Sequence, residues 1–257
     1  MKLATSTLFC LGTGLEKAIP TLLKLKVNRV EVADSGYHTL NNARVERLNE
    51  LRENYGLNYS VHAPYADTNL SADDDEIRRS IVNRVKASIL FAKELEAQAL
   101  IFHPGWKTAV TRFDEDRTWR LNIESISEIF EFAQNHKVTA LVENMPGSSS
   151  YLMKSIREFH NFFEEVGLGV KMVLDIAHAH TSGELKDFLF TFQDRIAHVH
   201  ISDNNGVSDS HLSIGEGNID WSSVIRWLES TGFDGWIVVE SYERVQESIE
   251  YISKLIS

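Results

Sequence analysis

VKMVLD (170–175) and IAHVHIS (196–202) are aliphatic runs too short for ordinary helices, and each leads into residues able to carry charge or bind a metal. The segment between them, 176–195, is long enough for a crossover. This combination predicts buried parallel strands joined by helices. The same alternation extends outward to LATSTLF (3–9), RVEVA (29–33), NYSVHA (58–63), ALIFH (99–103), TALVEN (139–144) and GWIVVES (235–241). Eight strands alternating with amphipathic segments predict an α/β fold, a (β/α)8 TIM barrel formed as one domain over 1–257. Two core-facing helical stripes are expected, Ile77, Ile81, Val85 and Ile89, then Trp119, Ile123, Ile126 and Phe130. No glycine-rich fingerprint follows the first strand, which argues against an open dinucleotide-binding sheet.

The composition agrees with a globular chain: 257 residues, 43% hydrophobic and 25% charged. A formal charge of −11 argues against general polyanion binding, although bound cations would reverse the field at a local site. Cys10 is the single cysteine, so neither an intrachain disulfide nor a thiolate metal site can form, and a reducing, cytoplasmic setting is expected. The opening MKLATSTLFCLG reads as a first strand rather than a secretory signal, because Thr5, Ser6 and Thr7 interrupt its apolar run. No stretch has the roughly 18 apolar residues needed to cross a bilayer, so no membrane partner is expected.

Strands three to eight run out into His62, His103, Glu143, Asp175, His200 and Glu240. A barrel gathers the C-terminal ends of its strands around one mouth, so these six residues are expected to converge. Carboxylates at the ends of runs such as ALVE and IVVE are costly to bury unpaired, and a divalent cation is a common partner that removes the cost. Histidine and carboxylate ligands without cysteine suit zinc, manganese or another borderline divalent ion. LDIAHAH adds His178 or His180, which spacing alone does not separate, and SDSHLSIGEG adds Asp209 and His211. Nine ligands exceed the needs of one ion. His38, His136 and His160 are read as surface or hydrogen-bonded core residues, and His198 as packing or as support behind His200.

These motifs resemble a known group. VHAPY (61–65), FHPG (102–105), VEN (142–144), LDIAHAH (174–180), HVHISD (198–203), DSHLSIGEGNI (209–219) and VVES (238–241) resemble the xylose isomerase-like barrel superfamily and, within it, the endonuclease IV branch, AP endonuclease family 2. The resemblance implies up to three zinc ions: one on His62, His103 and Glu143, a second on Glu143, Asp175, His200 and Glu240, a third on His178, Asp209 and His211. It thereby selects His178 as the ligand and leaves His180 to a substrate contact. Tyr65 matches an aromatic that enters the duplex in that branch, whereas DSGYHTLNNAR lacks the basic and aromatic insertion used on DNA.

Two activities follow from the resemblance. The first expectation is a metal-dependent phosphoesterase, a hydrolase cleaving a phosphodiester in a phosphate-bearing substrate or abasic DNA, with Glu240 orienting the attacking hydroxide. The alternative is a sugar or sugar-phosphate isomerase or epimerase in which Glu143 and Glu240 are opposing acid and base.

Overall fold

The computed structural model describes residues 1–167 and 169–256. Its strands are β1 (Lys2–Ser6), β2 (Arg29–Ala33), β3 (Asn58–His62), β4 (Leu100–Phe102), β5 (Ala140–Glu143), β6 (Met172–Asp175), β7 (Ile196–Ile201) and β8 (Trp236–Val239). All pair in parallel and in chain order, and β1 closes on β8 from Lys2↔Trp236 to Thr5↔Val239, giving a closed TIM barrel. The helices α1 (Leu15–Leu22), α2 (Asn42–Tyr55), α3 (Asp75–Glu94), α4 (Glu115–Asn135), α5 (Ile156–Val166), α6 (Ile176–Thr181), α7 (Leu185–Thr191), α8 (Trp221–Ser230) and α9 (Val245–Leu255) intervene between strands or follow the last one. Among the described residues, no helix is long and apolar enough to cross a membrane.

The strand period of two sorts the side chains into an outer core and a barrel interior. Val142, Leu174, Val199 and Val239 join the large core beneath the helices. Ile101, Leu141 and Val173 pack together separately, and the residues two further on, His103, Glu143 and Asp175, share their face. Each inward apolar residue therefore acts as a platform for the polar one above it. Phe159 anchors the outer core, with its ring against Phe162, Phe163, Phe188 and Phe192.

Both expected helix stripes hold in part. On α3, Val85 and Ile89 are buried and Ile81 packs against the core, but Ile77 is 56% exposed, and Val82 and Ala92 join the buried face. On α4, Trp119, Ile123 and Phe130 are only partly buried, whereas Thr118, Asn122, Ser125, Ile126 and Ile129 face inward. The reason is polar: Asn122 Oδ1 accepts from Gly105 N at 2.7 Å, Ser125 Oγ donates to Leu70 O at 2.8 Å, and Thr118 Oγ1 donates to Thr111 O at 2.8 Å. α4 holds the loops after β3 and β4, so its buried face cannot be wholly apolar.

Replacing Phe159 with Ala should lower unfolding stability by about 3–5 kcal/mol, as expected when a large buried aromatic leaves a cavity. Denaturant unfolding followed by circular dichroism checks the value.

Candidate active site

The nine residues singled out by sequence lie together at the C-terminal mouth. Their donor atoms form three groups, His62, His103 and Glu143; Glu143, Asp175, His200 and Glu240; His178, Asp209 and His211, each with its atoms within 4.8 Å of one another. Glu143 joins the first two. Its Oε2 lies 3.3 Å from His62 Nε2 and 3.2 Å from His103 Nε2, while its Oε1 lies 3.0 Å from His200 Nδ1. Glu240 Oε2 meets the same His200 nitrogen at 3.5 Å. Asp209 Oδ2 is 3.1 Å from His178 Nε2 and 3.0 Å from His211 Nε2.

The outer nitrogens show why these rings point inward. His62 Nδ1 donates to Ala63 O at 2.8 Å, His178 Nδ1 to Asn144 O at 2.7 Å and His211 Nδ1 to Glu240 O at 2.9 Å. Each ring thus spends one proton on a backbone carbonyl and aims its second nitrogen at a carboxylate. In a neutral imidazole that second nitrogen is a lone pair, and a lone pair facing a carboxylate oxygen at this range is repulsive. A proton or a cation must lie between them. Asp175 repeats the pattern, since its Oδ1 caps α6 by accepting from His178 N at 2.6 Å, while its Oδ2 is buried without a hydrogen-bond partner.

The electrostatics show the same demand for positive charge. Burial would lower the basicity of His178, but Asp175 and Asp209 outweigh it and push its pKa up to about 10. Burial likewise opposes the charged form of His211, and Asp209 overrides it, raising the ring to about 9. Burial would raise Glu143, yet His200, His103 and His62 hold it well below the usual carboxylate range. Burial, reinforced by Glu143 and Asp209, lifts Asp175 to about 7. His103 is pushed down to about 4, chiefly by burial, and so remains a neutral donor. Converging carboxylates, imidazole nitrogens aimed at them and an orphaned Asp175 oxygen together fit a divalent ion, which supplies the missing charge in place of protons.

The loops are built to hold this arrangement. Asn144 Oδ1 accepts from Asp175 N at 2.7 Å and its Nδ2 donates to Asp175 O at 3.0 Å, continuing the β5–β6 pairing past the strand end. Asp203 Oδ2 accepts from Gly215 N at 2.8 Å and Trp221 Nε1 at 2.9 Å, pinning the segment that carries Asp209 and His211. A Cβ at Gly217 would fall 2.2 Å from Asp203 Oδ1, which requires glycine in SIGEGN. His211 itself sits in the left-handed region at φ 44°, a strained placement for a non-glycine residue.

The mouth encloses a pocket of about 400 Å³, at the small end of the usual range for small-molecule sites. Tyr65, Tyr151 and Tyr242 wall it with Leu8, Leu11 and Met145, and neither lysine nor arginine contributes. Tyr65 lies edge-on to His62, and Tyr242 covers the His211 ring at 4.6 Å between centroids. His180 corrects the expectation of a substrate contact: it does not line the pocket, and its Nε2 meets Asn218 Oδ1 at 2.7 Å. Residues two apart on a helix diverge by about 200°, so His178 and His180 of α6 cannot share a face. Sequence reading missed Tyr151, Tyr242 and, behind His200, the buried Glu31. A charge inside RVEVA was the available signal for Glu31.

Residues 22–255 match the family described as xylose isomerase-like TIM barrel. The chain belongs to that family. It is 30% identical to MJ1311, an uncharacterized protein of Methanocaldococcus jannaschii, over 100% of this chain and 92% of that one. It is 24% identical to the D-psicose 3-epimerase of Ruminiclostridium cellulolyticum over 88% of this chain and 78% of the enzyme. Among solved structures, a D-tagatose 3-epimerase-like protein superimposes with a TM-score of 0.91 at 29% identity, covering 99% of this chain and 97% of the other. Several relatives of this family member are therefore sugar epimerases, which moves the weight from phosphoester hydrolysis to the alternative.

Removing metal should make stability fall with rising pH. His178 and His211 are raised above their unfolded values, so their contribution is full below about 6.5. It is lost as pH rises through about 9 and 10. Thermal unfolding of the chelated chain between pH 6.5 and 10 should show the decline, and addition of a divalent ion should flatten it. Divalent-ion affinity, measured by calorimetry, should tighten over the same interval as competing protons leave.

Proposed function

We propose that the protein is a metal-dependent sugar isomerase or epimerase that moves a proton at the carbon next to a ketose carbonyl. The observation that carries this reading is that Glu143 and Glu240 converge on one nitrogen of His200 and line a small pocket to which, among the described residues, neither lysine nor arginine contributes. Glu143, Asp175, His200 and Glu240 would hold the ion, which when bound polarises the substrate carbonyl and makes its neighbouring C–H more acidic. One glutamate removes that proton and the other returns a proton to the opposite face, which inverts the carbon. Glu143 is kept ionised by three histidines. His62 and His103 line the pocket beside it as partners for a substrate hydroxyl, and Tyr65, Tyr151 and Tyr242 supply walls against which the sugar would be oriented. Among the described residues the pocket offers no lysine or arginine to a phosphate, which favours a neutral sugar.

Phosphodiester hydrolysis is retained as the second reading because His178, Asp209 and His211 converge as a further donor set that a one-ion epimerase does not require. Zinc, manganese and related ions all suit the combined donors, with up to three bound.

Incubation of the metal-loaded chain with D-psicose, D-tagatose and D-fructose in deuterated water is the test. Epimer formation with one deuterium at the inverted carbon supports the proposal. No exchange with any ketose, together with cleavage of an abasic-site duplex that EDTA stops, would reverse it. Glu143→Gln and Glu240→Gln should each cut epimerisation by about 10²–10⁴, the range for loss of a positioned acid or base. His211→Ala should leave exchange within about tenfold while eliminating any phosphodiester cleavage.

A further inference from the structure

Below the mouth, the barrel interior holds a second polar layer around Glu31, a residue that the proposed chemistry does not use. Glu31, in the middle of β2, is fully buried, as are His198, His200 and Ser60. Glu31 Oε2 accepts from Ser60 Oγ at 2.8 Å and from His198 Nε2 at 3.0 Å. Its Oε1 lies 3.0 Å from His200 Nε2, a close contact without hydrogen-bond alignment. Neither of these two atoms has another hydrogen-bond partner among the described residues.

A buried carboxylate with two donors on one oxygen and none on the other is half satisfied, and that cost falls when the facing nitrogen carries a proton. The facing nitrogen is His200 Nε2. Its other nitrogen, Nδ1, is the one directed at Glu143 and Glu240. We infer that Glu31 is a positioning residue: it holds the proton of His200 on Nε2, so that Nδ1 presents its lone pair to the bound cation. This inference rests on the metal-dependent reading and deepens it.

Glutamate achieves this where glutamine cannot. With Ser60 and His198 both donating to one end, the carboxamide of a glutamine must place its NH2 toward His200. Nε2 would then accept, the proton would move to Nδ1, and the nitrogen facing the site would be blocked. Carboxylates behind ligating histidines commonly govern affinity in this way, with about 10–100-fold lost on their replacement. Ser60 pairs with Glu31 in the β2–β3 register, so its hydroxyl steadies the carboxylate from the adjoining strand.

The test is a zinc titration of the parent chain and of Glu31→Gln, followed through the ¹⁵N resonances of His200. In the zinc-loaded parent the ring proton is expected on Nε2. In Glu31→Gln, zinc affinity at His200 should fall about 10–100-fold, with the metal-free thermal midpoint kept within a few degrees. Equal affinity in parent and variant, or a parent proton on Nδ1, overturns the inference while leaving the proposed function standing. A parent that takes up no divalent ion overturns both. If Glu31→Gln does not fold, Ser60→Ala decides: weaker zinc binding at His200 supports the role, and unchanged binding removes it.

Discussion

The site depends on the shared carboxylate of Glu143. It is fully buried, and three imidazoles from β3, β4 and β7 or the loops just beyond them approach its two oxygens. An ionised carboxylate in such surroundings persists only when opposite charge or donors surround it. Ala63 O orients His62 among these imidazoles, and the carbonyls of Asn144 and Glu240 orient His178 and His211 nearby, so the inward nitrogens leave a region that requires a cation or several protons. The metal hypothesis and the pH behaviour of the mouth both originate in that imbalance.

The barrel makes this concentration of charge tolerable by stacking it on apolar layers. Leu141 and Val173 lie two residues below Glu143 and Asp175 on the same face, and the outer faces of these strands are locked beneath the helices. Rigid strands carry the central donors, while Asp209 and His211 arrive on a loop that Asp203 ties back. The cost of the layout appears locally, in the left-handed backbone of His211 and in the close approach that requires Gly217.

Metal-dependent phosphoesterases and sugar epimerases can share such a central donor set, so the ligands alone discriminate poorly between them. The walls discriminate better. Tyr65, Tyr151 and Tyr242 close around a space suited to a small molecule, and among the described residues neither lysine nor arginine lines it. A polyanionic duplex would need a wider, positively charged approach surface. Similarity to sugar epimerases agrees with the character of the walls.

The eight strands and the order of the nine donor residues were legible in the chain because both follow short-range rules. Period-two burial places His103, Glu143, Asp175 and His200 above inward-facing neighbours, and parallel closure brings strand ends together whatever their distance in sequence. The α4 stripe was legible only in part, because Thr118, Asn122 and Ser125 serve loops whose positions no local pattern specifies. His178 and His180 were equivalent by spacing until α6 turned one inward and the other toward Asn218. Only the tertiary structure joined Glu31 to His198 and His200 across the barrel interior. Local backbone period determines which face a side chain occupies; barrel closure and stagger decide which groups from distant strands meet there, and hence where each proton is held.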